Sequence, residues 1–137
     1  MIHLDIVIPA KNDEIDRVTA DIEKILTVED FSAEEIFNVQ LAMEEIIENI
    51  INYGYPGKEG MIGIRCEVTP SEISIEISDS APAFNPLLMP DPDITSDVDE
   101  RNIGGLGIFL VKKVMDKVSY IYENNKNILT LVKFKNE

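Results

Sequence analysis

The chain has one cysteine, Cys66, one histidine, His3, and no apolar run approaching the ~18 residues needed to cross a bilayer. A lone thiol excludes an intrachain disulfide, which agrees with a reducing cytoplasmic setting. The first residues, MIHLDIVIPAKNDEID, alternate like a strand and lack the basic start and small-residue cleavage site of a secretory signal. Positive charge is scarce: 12 Lys and Arg face 26 Asp and Glu, a formal net charge of −14. Direct nucleic-acid binding needs a basic footprint, so that class is disfavoured. A basic protein partner, or a polyanion held by local dipoles and a metal, stays compatible. No repeat, low-complexity tract or composition break divides the 137 residues, which are expected to form one domain, 1–137.

What is present reads as a short series of elements. His3 to Pro9 alternates like a strand, and Asn12 offers an N-cap to a helix with Ile15, Val18, Ile22 and Ile25 on one stripe. Ser32-Ala33-Glu34-Glu35 has the form of a capping box, with Phe31 and Ile36 placed as a hydrophobic staple. The helix that starts there is predicted to run to about Tyr53, where Gly54, Pro56 and Gly57 end it. Ile62, Ile64, Cys66 and Val68, then Ile73, Ile75 and Ile77 across Thr69-Pro70-Ser71, predict a hairpin with one buried face. Residues 80–103 show no periodicity, carry four prolines and a run of acids, and read as a lid or binding loop. Gly104-Gly105-Leu106-Gly107 then leads into a helix with Phe109, Leu110 and Val114 on its stripe. A last hairpin joins Val118–Glu123 to Ile128–Lys135 across residues 124–127. This order predicts an α+β fold, a two-layer sandwich with helices on one face of an antiparallel or mixed, mostly antiparallel sheet.

The long second helix has two faces that cannot both be solvated. Ile36, Val39, Met43, Ile46, Ile47 and Ile50 form a buried stripe, while Glu45, Asn49 and Asn52 align at i, i+4 and i+7. A carboxylate one turn from a carboxamide could hold a general base beside a metal ion; equally, Glu44, Glu45 and Glu48 could be solubilising acids. Asp79 shares the parity of Ile73, Ile75 and Ile77, so the pleat carries a carboxylate inward at the strand end. There it either accepts donors from a base edge such as adenine's amino group or caps the turn at Ser80-Ala81. The glycines either present N–H groups to an anion at a helix start or simply admit the chain to the helix. Asn49 could give Mg²⁺ a neutral oxygen, and Glu45 could accept the proton of an attacking hydroxyl.

Taken together, these features resemble the GHKL (histidine kinase-like) ATP-binding superfamily, in particular its small stand-alone bacterial anti-sigma regulatory factors and serine-protein kinases. The resemblance rests on E-x-x-x-N at Glu45 and Asn49, and on D-x-x-x-x-F-x-P running from Asp79 through Phe84 to Pro86. It continues with G-G-x-G at Gly104, Gly105 and Gly107, and with a threonine on the last strand, matched by Thr130. It implies a Bergerat-type ATP fold with a lid over about 80–103, and ATP and Mg²⁺ as cofactors. Glu45 would be the general base and Asn49 the Mg²⁺ ligand, with Asn52 on the same face. Asp79 would read adenine, with Ala83 and Phe84 in its motif. Gly104, Gly105, Leu106 and Gly107 would wrap the phosphates, and Thr130 would belong to the nucleotide site. Arg101 would reach the γ-phosphate or stand as a solvated loop charge. The chain departs from the pattern at Ala81 and Ala83, where glycines are usual, and at Tyr53, where relatives often carry histidine.

The activity so implied is transfer of the ATP γ-phosphoryl to a serine of an antagonist protein, coupled to sequestration of a sigma factor or analogous target. The partners would switch with phosphorylation, and a homodimer is common among such relatives. A nucleotide-responsive protein-binding module without phosphotransfer is the alternative; Glu45 argues for the kinase, and Ala81 and Ala83 argue for the module. A sensor histidine kinase is disfavoured because His3 lies on a strand, and a gyrase-type ATPase because no residues remain for a coupling domain.

Overall fold

A computed structural model describes residues 2–88 and 103–136, with Ile2 and residues 103–106 described by their backbone alone. The first strand, β1 (Ile2–Pro9), leads through a 3₁₀ turn at Asn12–Glu14 into α1 (Ile15–Val28). Asn12 does not cap α1: it sits inside the 3₁₀ turn, and the position before Ile15 belongs to Glu14, which makes no side-chain cap bond. The buried stripe is Ile15, Val18, Ile22 and Leu26, with Ile25 only partly covered.

The capping box forms as its spacing predicts. The N–H of Glu35 donates to Ser32 Oγ (3.1 Å), the N–H of Ser32 donates to Glu35 Oε1 (2.8 Å), and both staple residues, Phe31 and Ile36, are buried. This starts α2 (Ala33–Asn49). The helix then widens into a π turn at Ile50–Gly54, closed by the Tyr55 N–H on the Ile50 carbonyl at 3.0 Å.

The remaining strands are β2 (Met61–Val68), β3 (Glu72–Asp79), β4 (Lys117–Glu123) and β5 (Lys126–Phe134), and α3 (Ile103–Val114) precedes β4. The sheet order is β1-β2-β3-β5-β4, and all four pairings are antiparallel. One face, carrying Ile62 and Ile64, Ile73, Ile75 and Ile77, and Leu129 and Leu131, joins the helix stripes in a single core. The fold is therefore the expected two-layer α+β sandwich, with α2 packed between α1 and α3. Cys66 lies in that core, and burial, with Glu67 nearby, pushes its thiol up to about 12, so it carries no thiolate chemistry at neutral pH.

Two details differ from expectation. In α3 the buried residues are Ile108 and Val111, followed by Met115 just past the helix end, while Phe109, Leu110 and Val114 are half-buried. Four consecutive apolar residues, Ile108 to Val111, leave the phase of the stripe open in the sequence. In the last hairpin Asn124 (φ 54°) and Asn125 (φ 63°) alone make the turn, both left-handed as a two-residue I′ turn requires. Asn127 consequently belongs to β5 and points inward, not into the turn. Among the described residues no helix is long and apolar enough to cross a membrane.

Candidate nucleotide site

β3 delivers Asp79 to the inner face at its last residue, where it is 7% exposed. Its Oδ1 accepts from the Ala81 N–H at 2.9 Å and from Asn127 Nδ2 at 2.9 Å. Among the described residues Oδ2 has no hydrogen-bond partner. Asp79 thus caps the following turn with one oxygen and keeps the other for something else, so the two readings of this residue are compatible.

Beside it lies a cleft of about 510 Å³ between the C-terminal end of α2 and the sheet. Ile46, Asn49, Ile50 and Tyr53 form one wall, Ile77, Leu129, Asn127 and Tyr120 another, and Ala81, Ala83 and Phe84 the loop side. A mostly apolar cavity with a few convergent polar groups is the usual make-up of a small-molecule site. Two exposed aromatic rings, Tyr53 and Phe84, belong to its rim, and Lys58 lines it as well.

The loop after Asp79 is stapled by side chains from two other segments. The Ser80 N–H donates to the Tyr55 hydroxyl (2.8 Å), which donates in turn to the Met61 carbonyl (3.2 Å). The Tyr55 ring lies so close over Gly60 that a Cβ there would stand 2.5 Å from ring carbons, which explains the glycine. Asn127 Oδ1 accepts from the Phe84 N–H (3.0 Å), and its Nδ2 reaches the carbonyls of Ala81 (3.1 Å) and Pro82 (3.2 Å). Among described non-glycine residues only Asp30, Asn124 and Asn125 have positive φ. Ala81 and Ala83 therefore do not need the left-handed backbone that favours glycine. A Cβ on Gly54 would lie 3.2 Å from that of Ala81, so the small residue on the π turn leaves room for the methyl on the loop.

Asn49 lines the cleft, half-buried, and its carboxamide has no hydrogen-bond partner among the described residues. No group of three or more His, Cys, Asp or Glu able to hold a metal occurs among those residues. A single neutral oxygen suits Mg²⁺ that is carried mainly by phosphates and water, so the donor present fits that ion. One turn earlier, Glu45 turns from the cleft wall towards α3: a Cβ on Gly107 would stand 2.5 Å from its Oε2. Burial, then Glu48 and Glu44, raise its pKa above the ordinary 4.5. Glu45 is thus a half-buried carboxyl against a helix start, with a basicity that suits proton acceptance, and not a solvated surface acid.

Residues 8–133 match the family described as the histidine kinase-like ATPase domain. The chain belongs to that family. Membership implies ATP binding. Similar curated proteins include the serine-protein kinase RsbW of Listeria monocytogenes serovar 1/2a, 26% identical over 95% of this chain and 85% of the relative. The serine/threonine-protein kinase BtrW of Bordetella bronchiseptica is 29% identical over 80% of this chain and 78% of its own. Among solved structures, the RsbU and RsbW domains of Rv1364c from Mycobacterium tuberculosis superpose with a TM-score of 0.67 over 98% of this chain at 13% identity. This chain spans 34% of that longer protein, and the likeness carries the fold alone.

Within this histidine kinase-like ATPase domain, Asn49, Asp79, Ala83 and Phe84 come together at one cleft, with Glu45 a helical turn away. Gly104, Gly105 and Leu106 lie in the first turn of α3, so the glycines open that helix from within, ahead of Gly107 at Glu45. Arg101 lies outside the described residues. Asn52 and Thr130 are not brought to the cleft. Asn52 is exposed, because the π turn advances fewer degrees per residue than an α-helix and swings Tyr53, not Asn52, into line with Asn49. Thr130 pairs with Glu76 and Ser119 on the outer face of the sheet, opposite Asn127 and Leu129. The residues that sequence reasoning missed are Asn127, Tyr120 and Tyr55; for Asn127 the signal was Asn124-Asn125, a pair suited to a two-residue turn.

Proposed function

We propose that this protein is an ATP-dependent serine-protein kinase that also acts as an anti-sigma regulatory factor. The observation that carries the reading is the placement of Asp79, with its spare oxygen, and Asn49 in one cleft, with the basic carboxyl of Glu45 one turn away at the start of α3. The names of the kinases to which the chain is similar support it. In this reading Asp79 Oδ2 accepts the exocyclic amine of adenine, and Phe84 and Tyr53 cover the base. Glu45 accepts the proton of a serine hydroxyl as its oxygen forms a bond to the γ-phosphorus and the bond to the β-phosphate oxygen breaks, releasing ADP. Mg²⁺, held by Asn49 and the phosphates, would neutralise charge there when bound. Residues 80–103 would act as the lid of a single domain, Gly104 to Gly107 would wrap the phosphates, and Arg101 would meet the γ-phosphate. The acceptor would be an antagonist protein, and the sequestered partner a sigma factor or an analogous target in the cytoplasm.

The alternative of a binding module without transfer draws its support from Ala81 and Ala83; neither stands at positive φ, which weakens the part of that argument that rests on backbone conformation. Calorimetric titration with ATP, with and without Mg²⁺, tests the binding half. Wild type should bind, Asp79→Ala should abolish binding, and Asn49→Ala should remove the Mg²⁺ dependence. Phosphate transfer to a serine-bearing antagonist tests the other half. A wild type that binds no ATP at millimolar concentration sinks the proposal.

A further inference from the structure

We propose that Asn127, braced by Tyr120, is a positioning residue that sets Asp79 for a purine bearing an amino group at its 6-position and against one bearing a carbonyl there. The inference rests on the nucleotide-binding reading above. The Phe84 N–H can only donate, so the Asn127 atom facing it at 3.0 Å is Oδ1, and the Tyr120 hydroxyl donates to the same oxygen. Nδ2 then faces acceptors only: Asp79 Oδ1, the Ala81 carbonyl and the Pro82 carbonyl. Each atom of the side chain is matched, and Asn127 is only 7% exposed. A buried polar side chain with every position filled has one rotamer, and it transmits that order to what it touches.

What it touches is the cleft. Asp79 Oδ1 is occupied by two N–H donors, so the carboxylate cannot turn without losing both, and Oδ2 is the oxygen left to accept. Adenine offers a donor at its 6-position and guanine an acceptor. A carboxylate fixed in this way accepts from the first and repels the second. An Asp79 free to swing could instead find the ring N–H or the 2-amine of guanine, so the discrimination depends on the rigidity that Asn127 supplies as well as on the presence of the carboxylate. Tyr120 belongs to the same cleft wall and acts one step further out, through Asn127.

The test is calorimetric titration of wild type, Asn127→Ala and Tyr120→Phe with ATP and separately with GTP, each protein checked for a cooperative thermal transition. Wild type should prefer ATP. Asn127→Ala should bind ATP about tenfold more weakly, the loss expected when one buried hydrogen-bonding side chain is removed, while its affinity for GTP holds or rises. The ATP-to-GTP ratio should therefore narrow, which mere loosening of the fold would not produce, since that lowers both affinities alike. Tyr120→Phe, which keeps the carboxamide, should move the ratio the same way by a few-fold, and it decides the matter should Asn127→Ala not fold. Unchanged ratios in a folded variant, or a wild type that binds ATP and GTP alike, overturn the role of Asn127 and leave the nucleotide site standing. A wild type that binds neither overturns the nucleotide reading itself.

Discussion

The surroundings of Glu45 disfavour its charge. Burial, then Glu48 and Glu44, raise its pKa above 4.5, so the fold favours the protonated form. Stability that this group adds below the ordinary value is lost as pH rises through the raised value, and above that value the carboxylate is a net cost to folding. Glu45→Gln removes the charge and keeps the shape. It should melt a few degrees higher than wild type at neutral pH and bind ATP normally, while phosphate transfer falls by about 10²–10⁴-fold. A variant that melts no higher, or that still transfers, contradicts this account. In wild type the transfer rate should fall as pH drops through the raised pKa. Gly107 bears on the same atom. A methyl there meets Glu45 Oε2 at 2.5 Å, the far end of a flexible side chain, so Gly107→Ala should fold, with helix propensity gaining about 1 kcal/mol. The carboxylate must move aside, so transfer should drop, and because Gly107 is also proposed to wrap the phosphates, ATP binding should weaken with it. Parallel melts and transfer assays on this variant separate the two effects.

Among the elements, α2 bears most of the organisation, and its start is tied to the far end of the chain. Glu35 Oε1 accepts from the Ser32 N–H and Oε2 from the Asn136 N–H at 2.7 Å. Burial alone would raise the pKa of this carboxyl. The N–H groups of Asn136 and Ser32, the Ser32 hydroxyl and the charge of Lys133 outweigh it and hold the pKa below 4.5. The stability this gives is present above the unfolded value and disappears as pH falls through the lower folded value. Glu35→Ala should cost about 1–3 kcal/mol at neutral pH, and less in acid, where the wild-type carboxyl is itself protonated. Chemical denaturation at the two pH values checks this, and an equal loss at both would refute it. The capping box was legible in the sequence because it is local, and Asp79 because strand parity is strict over a few residues. The alternation of Leu129 and Leu131 equally puts Thr130 on the outer face, although its likeness to a motif suggested otherwise. The π turn was not legible, since no residue type at 50–54 distinguishes an i→i+5 bond from an i→i+4 bond, and Asn52 was misplaced for that reason. Nor was the lock at Asn127, which joins residues 43 to 48 positions apart through a pairing of β3 with β5 that no local pattern states.

For the whole molecule, the dominant quantity is a net charge of −14, which repels the nucleotide the cleft is proposed to bind. Binding must then rely on short-range donors, the apolar walls and the metal, and the long-range field works against approach. Salt screens that field, with a Debye length of ~8 Å at physiological ionic strength, but leaves contacts inside the cleft nearly untouched. The association rate of ATP should accordingly rise as salt is added, the reverse of a site that draws anions in through a basic surface. Bound Mg²⁺ lowers the charge of the nucleotide, so the slope should be shallower with the metal than without it. A protein partner recognised through this same surface charge would be basic, and its association should slow as salt rises. Stopped-flow measurements of both ligands over one salt series would reveal slopes of opposite sign. If ATP association slows with salt, local cations override the global field, and Lys58 on the cleft wall is then the first residue to substitute.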